Sequence, residues 1–179
     1  MDDLKINPND IGRGKDNDEI ATSCSAPFNK CMTRLVNNAW AKIKEFKSDP
    51  NIDAFVKKQE TINSFERLKK NLELVRYELP FYALARSFPH VIKAGKHIIE
   101  YNADYFLNRN YDELIKNDHN TTMIYDVIKL IVKCFKHLTN SEQEEVWELA
   151  NIMLLSSIEF KNHIKKTGCQ YGQDLNVTY

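Results

Sequence analysis

Gly12-Arg13-Gly14-Lys15 is the stretch of this chain that comes nearest to a piece of recognisable chemistry. Glycines beside a lysine suggest a loop whose backbone amides cradle phosphate. A phosphate-binding loop of that kind needs four residues between its glycines, Ser or Thr after the lysine, and a strand in front. Here Arg13 alone separates the glycines, Asp16 follows the lysine and no strand precedes them, so the fragment implies no nucleotide site. Thiols and imidazoles come next. Cys134 and His137 stand three apart, and His90 and His97 seven apart. A structural zinc site needs four such ligands converging, with short-range pairs from two places. One pair at helical spacing falls short of that, so no metal and no cofactor is expected.

The carboxylates are similarly local. Asp112-Glu113 is an isolated pair, and Glu142, Glu144, Glu145 and Glu148 form a run. That run falls in the first turns of a helix, where the unpaired amides favour negative charge, so it needs no acid–base dyad to explain it. No histidine has a nucleophile at motif spacing, and there is no Gly-x-Ser-x-Gly elbow. The reading is of a non-enzymatic protein with no catalytic residues and no small-molecule substrate.

Charge supplies a more usable signal. The 25 basic and 25 acidic side chains cancel over the 179 residues, but unevenly along the chain. Residues 1–26 carry three basic against six acidic groups, residues 27–79 eleven against seven, and residues 110–179 seven against ten. Such a dipolar chain can pack against its own copies, or lay its basic half on an acidic partner or a phosphate backbone. Lys57, Lys58, Arg67, Lys69 and Lys70 are the residues that would make that contact. Few aromatics interleave with them, so base stacking on single strands has little support.

The elements that must position these groups are helical. Residues 1–26, with Pro8, Gly12, Gly14 and almost no large apolar side chain, read as a flexible acidic arm. From Phe28 the apolar residues Cys31, Met32, Leu35, Val36, Ala39, Trp40, Ile43 and Phe46 recur at steps of three and four, one face of a helix. Asp49-Pro50 ends it. A second helix from about Asp53 carries Phe55, Val56, Ile62, Phe65, Leu68, Leu72 and Val75.

Proline is tolerated in a first turn, so Pro89 predicts a short helix near 81–87 and a new one from Pro89 to about Tyr101, with Gly95 as a mild internal liability. Ala103 to Asn108 and Tyr111 to Ile115 read as short, aromatic-rich turns. Thr121 or Thr122 caps a helix carrying Ile124 to Leu138. Ser141 with Glu144 reads as a capping box for a last helix through Trp147, Leu154 and Ile164. No segment alternates apolar and polar residues as a strand would.

The expectation is therefore an all-α, compact bundle of about five to seven helices in one domain over residues 27–165, with a tail at 166–179 holding two exposed tyrosines, Tyr171 and Tyr179. Its core is expected to contain Leu35, Trp40, Phe46, Phe65, Leu72, Ile99, Phe106, Ile128, Phe135, Trp147 and Leu154. No stretch approaches the roughly 18 apolar residues of a membrane span, and the start lacks the basic and apolar regions of a secretory signal. Cys31 and Cys134 fall on apolar helix faces, while Cys24 and Cys169 lie in the flanking segments, where a bridge between them stays open. A reduced, cytoplasmic setting follows.

One resemblance bears on function. Asp104-Tyr105-Phe106-Leu107-Asn108-Arg109-Asn110-Tyr111, Ile128-Lys129-Leu130, Leu138-Thr139-Asn140-Ser141-Glu142 and Val146-Trp147-Glu148-Leu149 form a pattern over about 60 residues. It resembles small helical proteins of nucleocytoplasmic large DNA viruses, in which an aromatic turn, a helix, a Leu-Ser/Thr cap and an Ile/Val-Trp helix follow one another. Glu148-Leu149 stands where that pattern has a basic-aromatic pair. The resemblance implies a structural or protein-interaction protein of the virion or virus factory, with a protein partner or its own copies, and supplies no catalytic residue. Nucleic-acid association through the basic helix is the alternative. Virally encoded Bcl-2-type regulators are also helical and of this size. Neither Trp40 nor Trp147 is followed by the Gly-Arg of their Asn-Trp-Gly-Arg segment, so a groove-binding regulator rests on helix count alone.

Overall fold

The computed structural model describes residues 5–46, 59–110, 132, 134–169 and 171. Among them the protein is all-α: a short 3-10 turn at Pro8–Asp10 precedes six helices. These are α1 (Asn17–Phe46), α2 (Gln59–Glu78), α3 (Tyr82–Lys93), α4 (Gly95–Ile99), α5 (Ala103–Leu107) and α6 (Asn140–Thr167).

α1 and α6 are the long elements, 30 and 28 residues, each roughly 40–45 Å at 1.5 Å per residue. They run antiparallel: Arg34 Nε meets Glu145 Oε1 at 2.7 Å, and eight residues further along α1 Lys42 Nζ meets Glu142 Oε1 at 2.7 Å. α3 and α4 pack on α6, while α2 rests against α1 and α3. The apolar stripe read from Phe28 onward faces inward, with Phe28, Cys31, Val36, Ala39 and Ile43 buried. Phe28, Phe160 and Leu84 are the large side chains at the centre, joined by Ile11, Ala21, Cys24 and Tyr171.

The structure corrects the boundary at residue 26. α1 starts at Asn17, and Pro27 lies inside it. Proline usually marks a first turn because it lacks an N–H donor, but here the helix nucleates ten residues earlier. Asp16 Oδ1 accepts from Glu19 N at 2.8 Å, and Glu19 Oε2 accepts from Lys15 N at 2.7 Å, a reciprocal cap of the capping-box kind. Ahead of it, Ile11 is buried and Gly12 lies against α6. Gly12 has φ +75°, and a Cβ there would sit 2.9 Å from Glu159 Cβ. At Gly14 a Cβ would meet the backbone of Glu19 and Ile20 at under 3 Å. The two glycines of the Gly-Arg-Gly-Lys fragment are thus explained by a tight turn into α1.

Three further expectations change. Pro89 is internal to α3, and the break falls instead at Ala94, where α3 gives way to the short α4. Ile99 is not core but 64% exposed, because α4 ends there and Tyr101 turns the chain in the left-handed region at φ 51°. The cap of α6 is Thr139 with Glu142 rather than Ser141 with Glu144: Thr139 Oγ1 accepts from Glu142 N at 3.3 Å and Glu142 Oε2 accepts from Thr139 N at 2.8 Å.

Tyr171, expected to be exposed, is held in the core instead. Tyr171 is buried, its hydroxyl donating to Asn17 O at 3.1 Å while His163 Nε2 lies 2.9 Å away. Of the other expected core residues, Phe135 and Leu154 are buried, and Leu35, Trp40, Leu72, Phe106 and Trp147 are half-buried. Ile128 and the side chains of Phe46 and Phe65 lie outside the described residues, as do Tyr179, the turn expected at Tyr111 to Ile115 and residues 121–131 of the helix expected to run to Leu138. All four cysteines are free; Cys24, Cys31 and Cys134 are buried and Cys169 is half-buried.

Candidate functional site: an apolar cavity behind an aromatic cluster

The short helices α4 and α5 exist because the chain between Lys93 and Asn110 is punctuated by groups that end and restart helices. Gly95 allows α4 to approach α6 closely, since a Cβ there would meet Leu154 Cδ1 at 3.0 Å. Asn102 then caps α5, its Oδ1 accepting from Tyr105 N at 3.1 Å. This geometry turns Tyr105 and Phe106 back toward α6.

The result is a cluster of rings. Trp147 on α6 is its hub, with Tyr101, Phe106 and Phe135 at centroid distances of 5.7, 5.9 and 5.7 Å, all tilted or edge-on. Such angles match the preference of aromatic quadrupoles for edge-to-face contact. On the outer side His97 stacks on Tyr105, 3.7 Å apart and 8° from parallel. Asn102 Nδ2 lies 3.3 Å from His97 Nδ1. Arg109 Nη1 donates to the Tyr105 hydroxyl at 2.7 Å.

Behind these rings lies a half-enclosed cavity of about 190 Å³. Leu35 of α1, Val91 of α3 and Ile98 of α4 form one wall, and Ala103, Phe106 and Leu107 of α5 another. Val132 and Phe135, just before α6, and Val146, Trp147, Ala150 and Met153 of α6 complete it. The described lining residues are all hydrophobic and none of them titrates near neutrality. What the site can do is hold apolar matter. Left empty and sealed, a void of this size would cost on the order of 4–5 kcal/mol at ~24 cal/mol per Å³.

The residues singled out in the sequence are placed elsewhere. Arg67 and Lys70 are exposed on α2 and Lys69 is half-buried there, while Lys57 and Lys58 lie outside the described residues. α2 carries Arg67, Lys69, Lys70 and Arg76 against Glu60, Glu66, Glu73 and Glu78, so the described helix is electrically balanced. Cys134 is buried, and desolvation pushes its thiol up to about 11, while His137 is exposed just beyond it. No group of three His, Cys, Asp or Glu that could hold a metal occurs among the described residues. In the carboxylate run, Glu142 and Glu145 clamp α6 to α1 through Lys42 and Arg34. Hydrogen bonding from Lys42, then from Thr139 N, holds the Glu142 carboxyl below its ordinary range.

No protein-family model, curated protein or solved structure matches the chain. No helix among the described residues is long and apolar enough to cross a membrane.

The cavity escaped the sequence reading, although its parts were visible as the aromatic-rich turns after Tyr101 and as Trp147. Their convergence depends on the turn at Tyr101 and on Gly95 against Leu154, neither of which has a periodic signature.

Proposed function

We propose that the protein is a non-enzymatic interaction protein whose outer α2 face pairs with a second copy of the chain. The carrying observation is that Leu74 and Tyr77 are 54% and 81% exposed on α2, in line with Arg67 and Lys70 at steps of three and four. The charges favour a self-complementary match. Residues 59–70 carry three basic and two acidic groups, and residues 71–78 one basic and two acidic. A two-fold antiparallel pairing of the kind closed dimers use sets the positive half of each copy against the negative half of the other. The resemblance to small helical proteins of nucleocytoplasmic large DNA viruses supports a virion- or virus-factory-associated role in host cytoplasm.

Sedimentation velocity from 1 to 100 μM tests the pairing. A dimer forming with a Kd in the micromolar range, about −8 kcal/mol, and its loss in the double variant Leu74→Glu/Tyr77→Glu with helical circular dichroism retained, is expected. A wild-type chain that stays monomeric at 100 μM overturns it. The rival reading lays Arg67, Lys69 and Lys70, with Lys57 and Lys58, on phosphate; the exposure of Arg67 and Lys70 is its support. DNA affinity that falls steeply with salt and drops on Arg67→Glu/Lys70→Glu would replace the dimer reading with that one.

A further inference from the structure

We propose that the cavity between α5 and α6 binds a small, uncharged, aromatic or otherwise apolar molecule about the size of a single ring. Three observations carry this. The volume, about 190 Å³, exceeds the ~150 Å³ of an engineered apolar cavity that stays dry and takes up benzene or xenon. The described lining is hydrophobic, whereas a retained water needs two to four polar partners, so water is a poor occupant of its interior. Finally, Phe106 and Phe135 already meet Trp147 at 59° and 73°, and all three rings line the cavity, so a bound ring can join the same edge-to-face set.

The wall also selects against polarity. A hydroxyl directed at the hydrophobic walls of the half-enclosed cavity loses its water partners and gains almost none, which costs binding without changing size. The ligand is therefore recognised by shape and by the absence of hydrogen-bonding groups. None of the described lining residues belongs to α2, so this site and the α2 pairing surface stand or fall separately.

The test uses the full-length chain labelled with carbon-13 at its methyl groups and titrated with benzene and, separately, with phenol. Saturable shifts at the methyls of Ile98, Leu107, Val146 and Met153, with benzene binding at least tenfold tighter than phenol, are expected. Ala150→Leu places extra carbon in the cavity and should abolish the benzene response while the methyl spectrum stays dispersed. Ala103→Val does the same on the opposite wall and serves if Ala150→Leu does not fold. Unchanged methyl shifts up to the solubility limit of benzene overturn the proposal. Equal affinity for phenol, or full benzene binding in a folded, filled variant, does so as well.

Discussion

Replacing Gly12 by alanine tests whether the N-terminal segment is a docked part of the fold. Two costs are legible at this position. Gly12 has φ +75°, a region that costs a residue with a Cβ roughly 1–2 kcal/mol. The added carbon would also stand 2.9 Å from Glu159 Cβ and 3.0 Å from its Cγ and Oε2, so the α6 side chain must move. The loss has a ceiling, because the segment can detach instead of straining. Detachment exposes Ile11, now buried, whose burial contributes about 1.5–3 kcal/mol. Gly12→Ala should therefore destabilise by about 2 kcal/mol, a fall in Tm of roughly 4–8 °C for a domain of this size. Ile11→Ala should give a comparable loss. In the double variant the two losses should fall well short of adding, since both act through the same docking. Urea unfolding followed by circular dichroism measures all three. If Gly12→Ala and Ile11→Ala each change stability by less than ~0.3 kcal/mol, the segment does not dock in solution.

Other consequences follow from contacts already described. Tyr171→Phe leaves His163 Nε2 and Asn17 O without the hydroxyl that now serves both; a loss of about 1–3 kcal/mol in urea unfolding is expected. Ser156 is fully buried and its Oγ has no hydrogen-bond partner among the described residues, so Ser156→Ala should be neutral or stabilising in the same assay. Burial pushes the thiols of Cys24 and Cys134 up to about 11 and that of Cys31 to about 12. Since the thiolate is the reactive form, mass spectrometry after native-state alkylation at pH 8 should find the half-buried Cys169 modified first, and all four cysteines only in denaturant. The Glu142 carboxyl is held low by Lys42 and Thr139. Its stabilising contribution is present above the ordinary carboxylate range and is lost as pH falls through the lowered value. Lys42→Gln should flatten the acid limb of a stability–pH curve, and an unchanged limb would remove this pair from the account.

How much of this was legible beforehand follows from which interactions are local. The apolar steps from Phe28 to Ile43 predicted an inward helical face because a period of 3.6 residues is a property of the chain itself, and Cys31, Val36 and Ile43 are buried along it. The all-α class followed from the same periodicity. Helix starts were harder, because several neighbouring residues can cap. Ser141 is a good candidate by type, yet Thr139 holds the cap of α6, and only competition among nearby donors and acceptors chooses between them. Whether the N-terminal segment and Tyr171 belong to the core could not be decided locally. Ile11, Gly12 and Tyr171 are far from α6 or from Asn17 in sequence and touch them only once α1 and α6 pair.

The cavity belongs wholly to the tertiary structure. Leu35, Val91, Ile98, Phe106 and Trp147 each read as an ordinary helix-face residue. What brings them around one space is the packing of Gly95 on Leu154 and the reversal of the chain at Tyr101. Periodicity says which side of a helix turns inward. Whether the inward sides fill the volume they enclose depends on how far apart the backbones stand, and that distance is set jointly by residues dozens of positions apart.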